Sequence, residues 1–322
     1  MREWKNDVIK IAVPTPFPVG DVNVFLLKGD ALTLVDTGVK TEEALRALKS
    51  GLGELRLELG DIEQIIVTHH HIDHISGVDF FGIEVPLLGH KNNDFWIGPS
   101  EEDQELMDTF FREVAIEMGV PAEYAGLMDK AKKESDNTCG TRDSLTGWLQ
   151  EGEEVPGLPG WRVYETPGHA ETHICLFRES DGAMIGGDLL LEKVSPNPLL
   201  EPPMKQGEER PKAQLLLNDS LRKVSQMPVS RVYAGHGNII ENPHELISLR
   251  LKAQHDRAMK VKEMLRAKPL TTYEVCMRLF PKIFMKQPGL TLSESQGQLD
   301  YLLDLGEIKE EKTDQTVIYR VK

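Results

Sequence analysis

Four histidines and an aspartate fall within Thr68-His69-His70-His71-Ile72-Asp73-His74, which follows directly on the β-branched run Ile62–Val67. A buried strand ending in such a block must deliver it to the edge of a sheet, because polar groups packed between layers lose water without gaining partners. As the chain leaves the strand, His69 and His71 are two residues apart and project to one side. Asp73 and His74 fall in the next turn, within reach of a point beside the first pair. Imidazole nitrogen and carboxylate oxygen suit zinc, and also iron or manganese. His70, between the ligands, is expected to point away from them, toward solvent or behind the ligand shell.

Three later segments repeat the pattern of a strand, a small or turn-forming residue, and one metal-type side chain. Thr166-Pro167-Gly168-His169 follows Arg162–Glu165, Gly186-Gly187-Asp188 closes Ala183–Gly186, and Ala234-Gly235-His236-Gly237 follows Arg231–Tyr233. Glycine beside a ligand lets backbone approach an ion or substrate without a side chain in the way. Strand ends collected on one edge would bring these groups together.

The series Asp36, His69-x-His71-x-Asp73-His74, His169, Asp188 and His236 resembles the five motifs of the metallo-β-lactamase-fold hydrolase superfamily, over roughly residues 8–240. The resemblance implies an α+β fold, a four-layer αββα sandwich with two divalent metal ions on one edge, zinc being the expected metal. It implies that His69, His71 and His169 hold the first ion, that Asp73, His74 and His236 hold the second, and that Asp188 bridges them. Asp36 would be a buried carboxylate that organises the ligand loops. Two divalent ions bring four positive charges, from which Asp73, Asp188 and a bridging hydroxide remove three. The remainder would stabilise an anionic transition state while the shared water is acidified. Asp73 and Asp188 are therefore the expected catalytic carboxylates, and the expected reaction is metal-assisted hydrolysis of a small-molecule ester, thioester or lactone, of the glyoxalase II-like kind.

Departures from other branches narrow this. True β-lactamases resemble the pattern but carry cysteine where Asp188 stands and lack the Asp73 equivalent. Flavo-diiron oxidoreductases carry glutamate where this chain has His71. A mononuclear-iron persulfide dioxygenase shares several ligands, yet His69, His71, His74 and His236 complete two metal sites. The whole chain also resembles the subgroup typified by the beta-lactamase-like endoribonuclease, which makes RNA or another phosphodiester the alternative substrate.

The expected organisation is a catalytic domain over residues 1–245 and a linker helix with a winged-helix-like domain over 246–322. Expected strands are Val8–Val13, Val22–Lys28, Ala31–Asp36, Val85–Leu88 and His173–Arg178. Thr41, with Glu42 and Glu43 behind it, is placed to cap a helix, and helices are expected at Ala213–Gln226 and Pro243 to about Ala267. Residues 91–148 read as a helical insertion, Asp103–Met118 and Pro121–Lys133, with 13 acidic residues against 6 basic. With the loop 190–212, that insertion is where specificity is expected to reside. Thr271-x-x-Glu274 and Ser293-x-x-Gln296 read as capping boxes, each opening a helix, and Ile308–Val321 as a hairpin.

Charge bears on partners. The chain carries −15 overall, which disfavours a general nucleic-acid or anionic-membrane binder. Ten basic residues face 3 acidic ones over 250–286, a candidate phosphate-contacting face through Arg257, Lys260, Lys262, Arg266 and Lys268. Yet the helix expected to enter a groove, about Glu294–Leu305, has no lysine or arginine, so RNA is a disfavoured partner. No apolar run is long enough to span a membrane. Three cysteines (Cys139, Cys175, Cys276), few and odd in number, and the lack of a signal-like leader suit a cytoplasmic protein. The C-terminal unit is expected to act in scaffolding or homodimerisation. Of the remaining histidines, His90, His244 and His255 are expected at the surface, while His173 either supports a ligand or packs in its strand.

Overall fold

The computed structural model describes residues 7–124, 142–313 and 315–322. Cys139 and most of the expected helix Pro121–Lys133 lie outside the described residues; within them, Ala122–Tyr124 forms one 3-10 turn.

Side-chain alternation sets the layers. Strands β1 (Val8–Val13), β2 (Val22–Lys28) and β3 (Leu32–Val35) run antiparallel, joined across Gly29-Asp30 with Lys28 opposite Leu32. One set of residues (Val8, Phe25, Leu27, Val35) faces the second sheet. The alternate set (Ile9, Ile11, Val24, Leu26, Leu34) faces outward onto a helix. With both faces covered, β2 is buried along nearly its whole length and reads as a continuous apolar run. Strands β4 (Gln64–Ile66), β5 (Leu87–Gly89) and β6 (Gly147–Trp148) extend this sheet in parallel, giving the order β1-β2-β3-β4-β5-β6.

The covering helix α1 (Glu42–Gly53) begins where Thr41 accepts the Ala44 N–H, with Glu42 and Glu43 at its positive end. It lays Ala44, Leu48 and Leu52 on the sheet. Short α2 (Ile72–Ile75) carries two of the candidate ligands, and α3 (Asp94–Ile97) and α4 (Glu101–Glu117) form the described part of the insertion. The second sheet contains β7 (Trp161–Glu165), β8 (Ile174–Arg178), β9 (Ala183–Gly187) and β10 (Arg231–Ala234), in the order β10-β9-β8-β7. Val163, Ile174, Leu176 and Ile185 meet the first sheet, while Cys175, Phe177, Met184 and Val232 pack outward on Leu217 and Leu221 of α5 (Ala213–Ser225). Helix, sheet, sheet, helix is the layer order, with two sheets sharing one apolar interior.

After β10 the chain forms α6 (Pro243–Ala267), α7 (Thr272–Leu279), α8 (Pro288–Asp304) and a hairpin of β11 (Ile308–Lys312) and β12 (Val317–Val321). These elements share an apolar cluster of Val261, Leu265, Leu270, Val275, Leu299, Leu302, Ile308 and Tyr319. The box at Thr271 and Glu274 is present, both halves formed. The one expected at Ser293 is not: α8 starts at Pro288, whose missing N–H costs nothing in a first turn, and Ser293 lies inside it. Its hydroxyl instead accepts the Leu200 N–H, 3.0 Å away, so the polar spacing that mimics a cap serves a tertiary contact. Nor is α8 an exposed reading helix, for every residue from Thr291 to Asp300 is buried. Its polar side chains point into the protein: Asp300 takes two hydrogen bonds from Arg210, and Gln298 donates to Gln254. Four of the five basic residues on the expected face have acidic partners within the chain, Arg257 pairing with Glu294, Lys262 with Glu307, Arg266 with Glu263 and Lys268 with Glu274. No helix among the described residues is long and apolar enough to cross a membrane.

Candidate metal centre

All seven expected ligands reach the same edge of the sandwich. Donor atoms of His69, His71 and His169 lie within 4.8 Å of one another, as do those of Asp73, His74 and His236, and those of His69, His74 and Asp188. Asp188 sits between the groups. Its Oδ1 is 3.6 Å from His74 Nε2, and its Oδ2 is 3.5 Å from both His169 Nε2 and His236 Nε2.

Hydrogen bonds behind the rings decide which nitrogen faces the cluster. His169 Nδ1 donates to the Asn197 carbonyl at 2.9 Å, and His236 Nδ1 to the Asp21 carbonyl at 2.8 Å. His74 Nδ1 donates to Asp36 Oδ2 at 2.8 Å. Asp36 also accepts the Thr68 N–H and hydroxyl, and the same hydroxyl stands 3.0 Å from His69 Nδ1. One buried carboxylate therefore orients two imidazoles, one directly and one through Thr68. Asp36 adopts φ 61°, a left-handed conformation that Asp tolerates better than most residues. With each Nδ1 committed, the Nε2 lone pairs of His69, His74 and His236 turn inward, the arrangement that suits ring ligation. His71 is reversed: its Nδ1 is 3.0 Å from His169 Nε2, so Nδ1 is its inward atom.

The fit to divalent ions follows from what these groups lack. The Nε2 atoms of His69, His74 and His236 and the Oδ1 of Asp188 are buried without any hydrogen-bond partner. Buried polar atoms are normally paired, so inward-facing orphans on convergent rings mark the place of an electrophile. The backbone leaves room for it: a Cβ on Gly235 would stand 2.2 Å from Asp188 Oδ1, and one on Gly187 2.7 Å from His173 Nε2. Divalent ions held by these residues would be acidified-water and charge-neutralising centres.

Electrostatics divide the rings. Burial, reinforced by neighbouring imidazoles, pushes His69 and His71 well below the ordinary histidine value. Burial also opposes charge on His74, but Asp188, Asp36 and Asp73 outweigh it and hold that ring well above the ordinary value. Burial would raise the Asp188 carboxyl; His74 foremost, then His236 and His169, hold it far below the usual range. Asp73 is lowered against the same burial by His74 and His236.

Of the two places expected for His70, solvent or behind the ligand shell, it takes the second: it is buried, stacks on Trp96 with ring centres 4.1 Å apart and planes at 3°, and has its Nδ1 2.9 Å from Thr172 Oγ1. Strand geometry alone sends it away from the ligands but does not say that Trp96 waits there. His90 is buried rather than at the surface, its Nδ1 accepting the Asn92 N–H, whereas His244 and His255 are exposed. His173 accepts the Asp188 N–H at 3.0 Å and holds Thr166 at 2.8 Å, so it supports the loop bearing the bridging carboxylate. Residues that motif spacing did not mark include Thr68, Asn197 and Glu201. Asn197 and Glu201 lie in the proline-rich loop 190–212, whose only sequence signal is its position after Asp188.

The sequence model of the "Metallo-beta-lactamase superfamily" matches residues 17–236. The chain is 45% identical, over 92% of both lengths, to the probable metallo-hydrolase YqjP of Bacillus subtilis strain 168. It is 25% identical to a beta-lactamase-like protein 2 homolog of Caenorhabditis elegans, over 78% of this chain and 68% of that one. Among solved structures, the metallo-beta-lactamase family protein TTHA1429 of Thermus thermophilus superposes with a TM-score of 0.81 at 27% identity, covering 99% of this chain and 100% of that one. A beta-lactamase domain protein of Burkholderia ambifaria shares the fold, with a TM-score of 0.79 at 23% identity over 100% of this chain and 94% of that one. Convergent donors, two-sheet architecture and these similarities lead to one conclusion: the chain belongs to the metallo-beta-lactamase superfamily.

Proposed function

We propose that the protein is a dinuclear metal-dependent hydrolase, of the glyoxalase II-like kind, acting on a small-molecule ester, thioester or lactone. The observation that carries this reading is Asp188, whose two oxygens face His74 on one side and His169 with His236 on the other. A carboxylate so placed suits a bridge between two cations, with three further donors for each. Two divalent ions, zinc by preference of this donor set, would supply a water acidified toward neutral pH and positive charge opposite a developing oxyanion. The chain's own part is positional. Asp36 and Thr68 fix His69 and His74, the Asn197 carbonyl fixes His169, and His173 fixes the turn carrying Asp188. Asp73, 3.3 Å from His236 Nε2, is the carboxylate placed to orient the attacking water as well as to ligate.

The division into residues 1–245 and 246–322, with the second unit scaffolding the first, is part of this reading. The separate apolar cluster of the C-terminal elements supports the division, and the bonds of α8 to Leu200 and Arg210 support the scaffolding. RNA draws less support, because that helix is covered and Arg257, Lys262, Arg266 and Lys268 are paired within the chain. A cytoplasmic setting and a homodimer go with this reading as expectations.

Testing it requires purified protein loaded with zinc, iron or manganese and assayed on a thioester and lactone panel beside single-stranded RNA. Turnover of an ester-type substrate, lost in His71→Ala and Asp188→Ala, is the expected result. Cleavage of RNA alone, or full activity in both variants, would overturn the reading.

A further inference from the structure

Beside the metal cluster lies a second group of buried polar atoms that the ligand set does not use. Glu201 is 5% exposed, and its Oε1 has no hydrogen-bond partner. Its other oxygen accepts the Glu171 N–H at 2.8 Å. Glu171, one oxygen of which takes the Asn92 side-chain amide, leaves its Oε2 buried and unpartnered. The Trp96 indole N–H, on the ring stacked against His70, is buried and unpartnered too. Ring nitrogens of His70 and His71 and a carboxylate oxygen of Glu201 come within 4.8 Å of one another, so this corner adjoins the first metal position through His71.

Its chemistry is one-sided. Two glutamates meet there, and no lysine or arginine among the described residues forms a salt bridge with either. His70 Nε2 lies 3.4 Å from Glu201 Oε1. Burial pushes the Glu201 carboxyl up to about 8 and raises Glu171 as well, the response of carboxyls that lack a counter-ion, and a cation placed beside them would restore the ionised form. A third metal ion is a poor occupant: with Nδ1 of His71 turned inward toward His169, the neutral ring carries its proton on the buried, unpartnered Nε2, which leaves only His70 and Glu201 as a pair of lone-pair donors. The flat Trp96 and His70 rings beside a carboxylate instead suit an organic cation, whose charge pairs with the carboxylate and whose carbon lies on the aromatic surface.

We propose that the corner formed by Glu201, Glu171, Trp96 and His70 is the substrate-selectivity site of the metal centre and that it takes a primary ammonium group. This rests on the hydrolase reading for its placement beside a reacting bond. A substrate bearing an amino group on the acyl or leaving side would be held there while its ester or thioester carbonyl reaches the metals.

The test is binding to the metal-loaded full chain by tryptophan fluorescence, with hexylammonium, its uncharged isostere 1-hexanol, and hexanoate as probes. Hexylammonium is expected to bind at least about tenfold more tightly than 1-hexanol, the discrimination that one favourable charge contact of about 1.4 kcal/mol provides. Glu201→Gln should abolish that preference while the metal content stays unchanged, and Trp96→Phe should remove the fluorescence response. Equal binding of the ammonium and the alcohol, preference for hexanoate, or a third bound ion per chain that is lost in Glu201→Gln would each overturn the proposal. The wild-type probe series needs no variant to fold and no turnover. Absence of ester or thioester hydrolysis would therefore count against the hydrolase reading alone.

Discussion

Two buried polar clusters in this molecule are built to opposite rules. At the edge of the sandwich, His69, His74, His236 and Asp188 each present an atom with no partner. Along α8, a comparable density of buried polar side chains is almost fully paired: Asp300 with Arg210 and Gln296, Glu294 with Arg257 and Gln298, Gln296 with Tyr319 and Thr272. A satisfied network holds two pieces of protein in one register. An unsatisfied one waits for something the chain does not supply. Burial and polarity alone would not separate the two; the partner of each atom does.

The contrast is broken most severely at Asp188. Asp188→Ala is expected to lower turnover on the productive substrate by about 10³-fold, as for loss of a preorganised charge-stabilising group, and to reduce bound metal. Steady-state kinetics with metal analysis checks this, and retention of both quantities would remove Asp188 from the centre. In the satisfied cluster the loss should appear as stability instead. Asp300→Ala should cost about 3 kcal/mol, the low end for breaking a buried pair, because the Arg210 side chain is 22% exposed. Chemical denaturation reads that value, and metal content should be unchanged.

Acidification sharpens the comparison. His69, His70, His71, His169 and His173 all have folded values below the ordinary 6.5, burial being the leading cause for each. Below 6.5 the unfolded chain binds protons that these buried rings refuse, so their contribution is present above that value and lost as pH falls. His74, His236 and Glu201, the last pushed up to about 8 by burial, are raised and act in the opposite sense, but they are outnumbered. Chelated protein should therefore melt at a lower temperature at about pH 5.5 than at about pH 7.5. A flat or inverted dependence would mean the rings are not held neutral. The smallest effect belongs to the surface: Arg46 pairs with Glu42 and Glu43 along α1, all exposed, and Arg46→Ala should change stability by about 0.5 kcal/mol or less.

Much of this was legible in the chain. Strands β1 and β2, helix α6 and the hairpin β11–β12 follow from apolar alternation, a first-turn proline and a polar turn, all local signals. The ligands were legible because His169, Asp188 and His236 each follow a strand at a glycine, and His69, His71, Asp73 and His74 follow one as a single block, patterns that need no knowledge of the partner strand. What depended on long-range packing was not. Ser293 and Gln296 have the spacing of a cap yet serve Leu200 and Tyr319, and only the docking of α8 reveals it. His90 resembles a surface histidine until Glu165 comes within 3.8 Å of its Nε2, and the side on which His70 lies is settled only by Trp96. Glu201 carries no motif at all; its neighbours come from segments that are distant in the chain.

The account stands on a centre that holds two ions, and metal stoichiometry tests it most directly. Full-length protein, stripped with a chelator, reloaded with excess zinc and freed of unbound metal, should retain two ions per chain by elemental analysis, falling below two in Asp188→Ala and His71→Ala. Retention of one ion or fewer per chain by the native sequence, or of two by both variants, would contradict it.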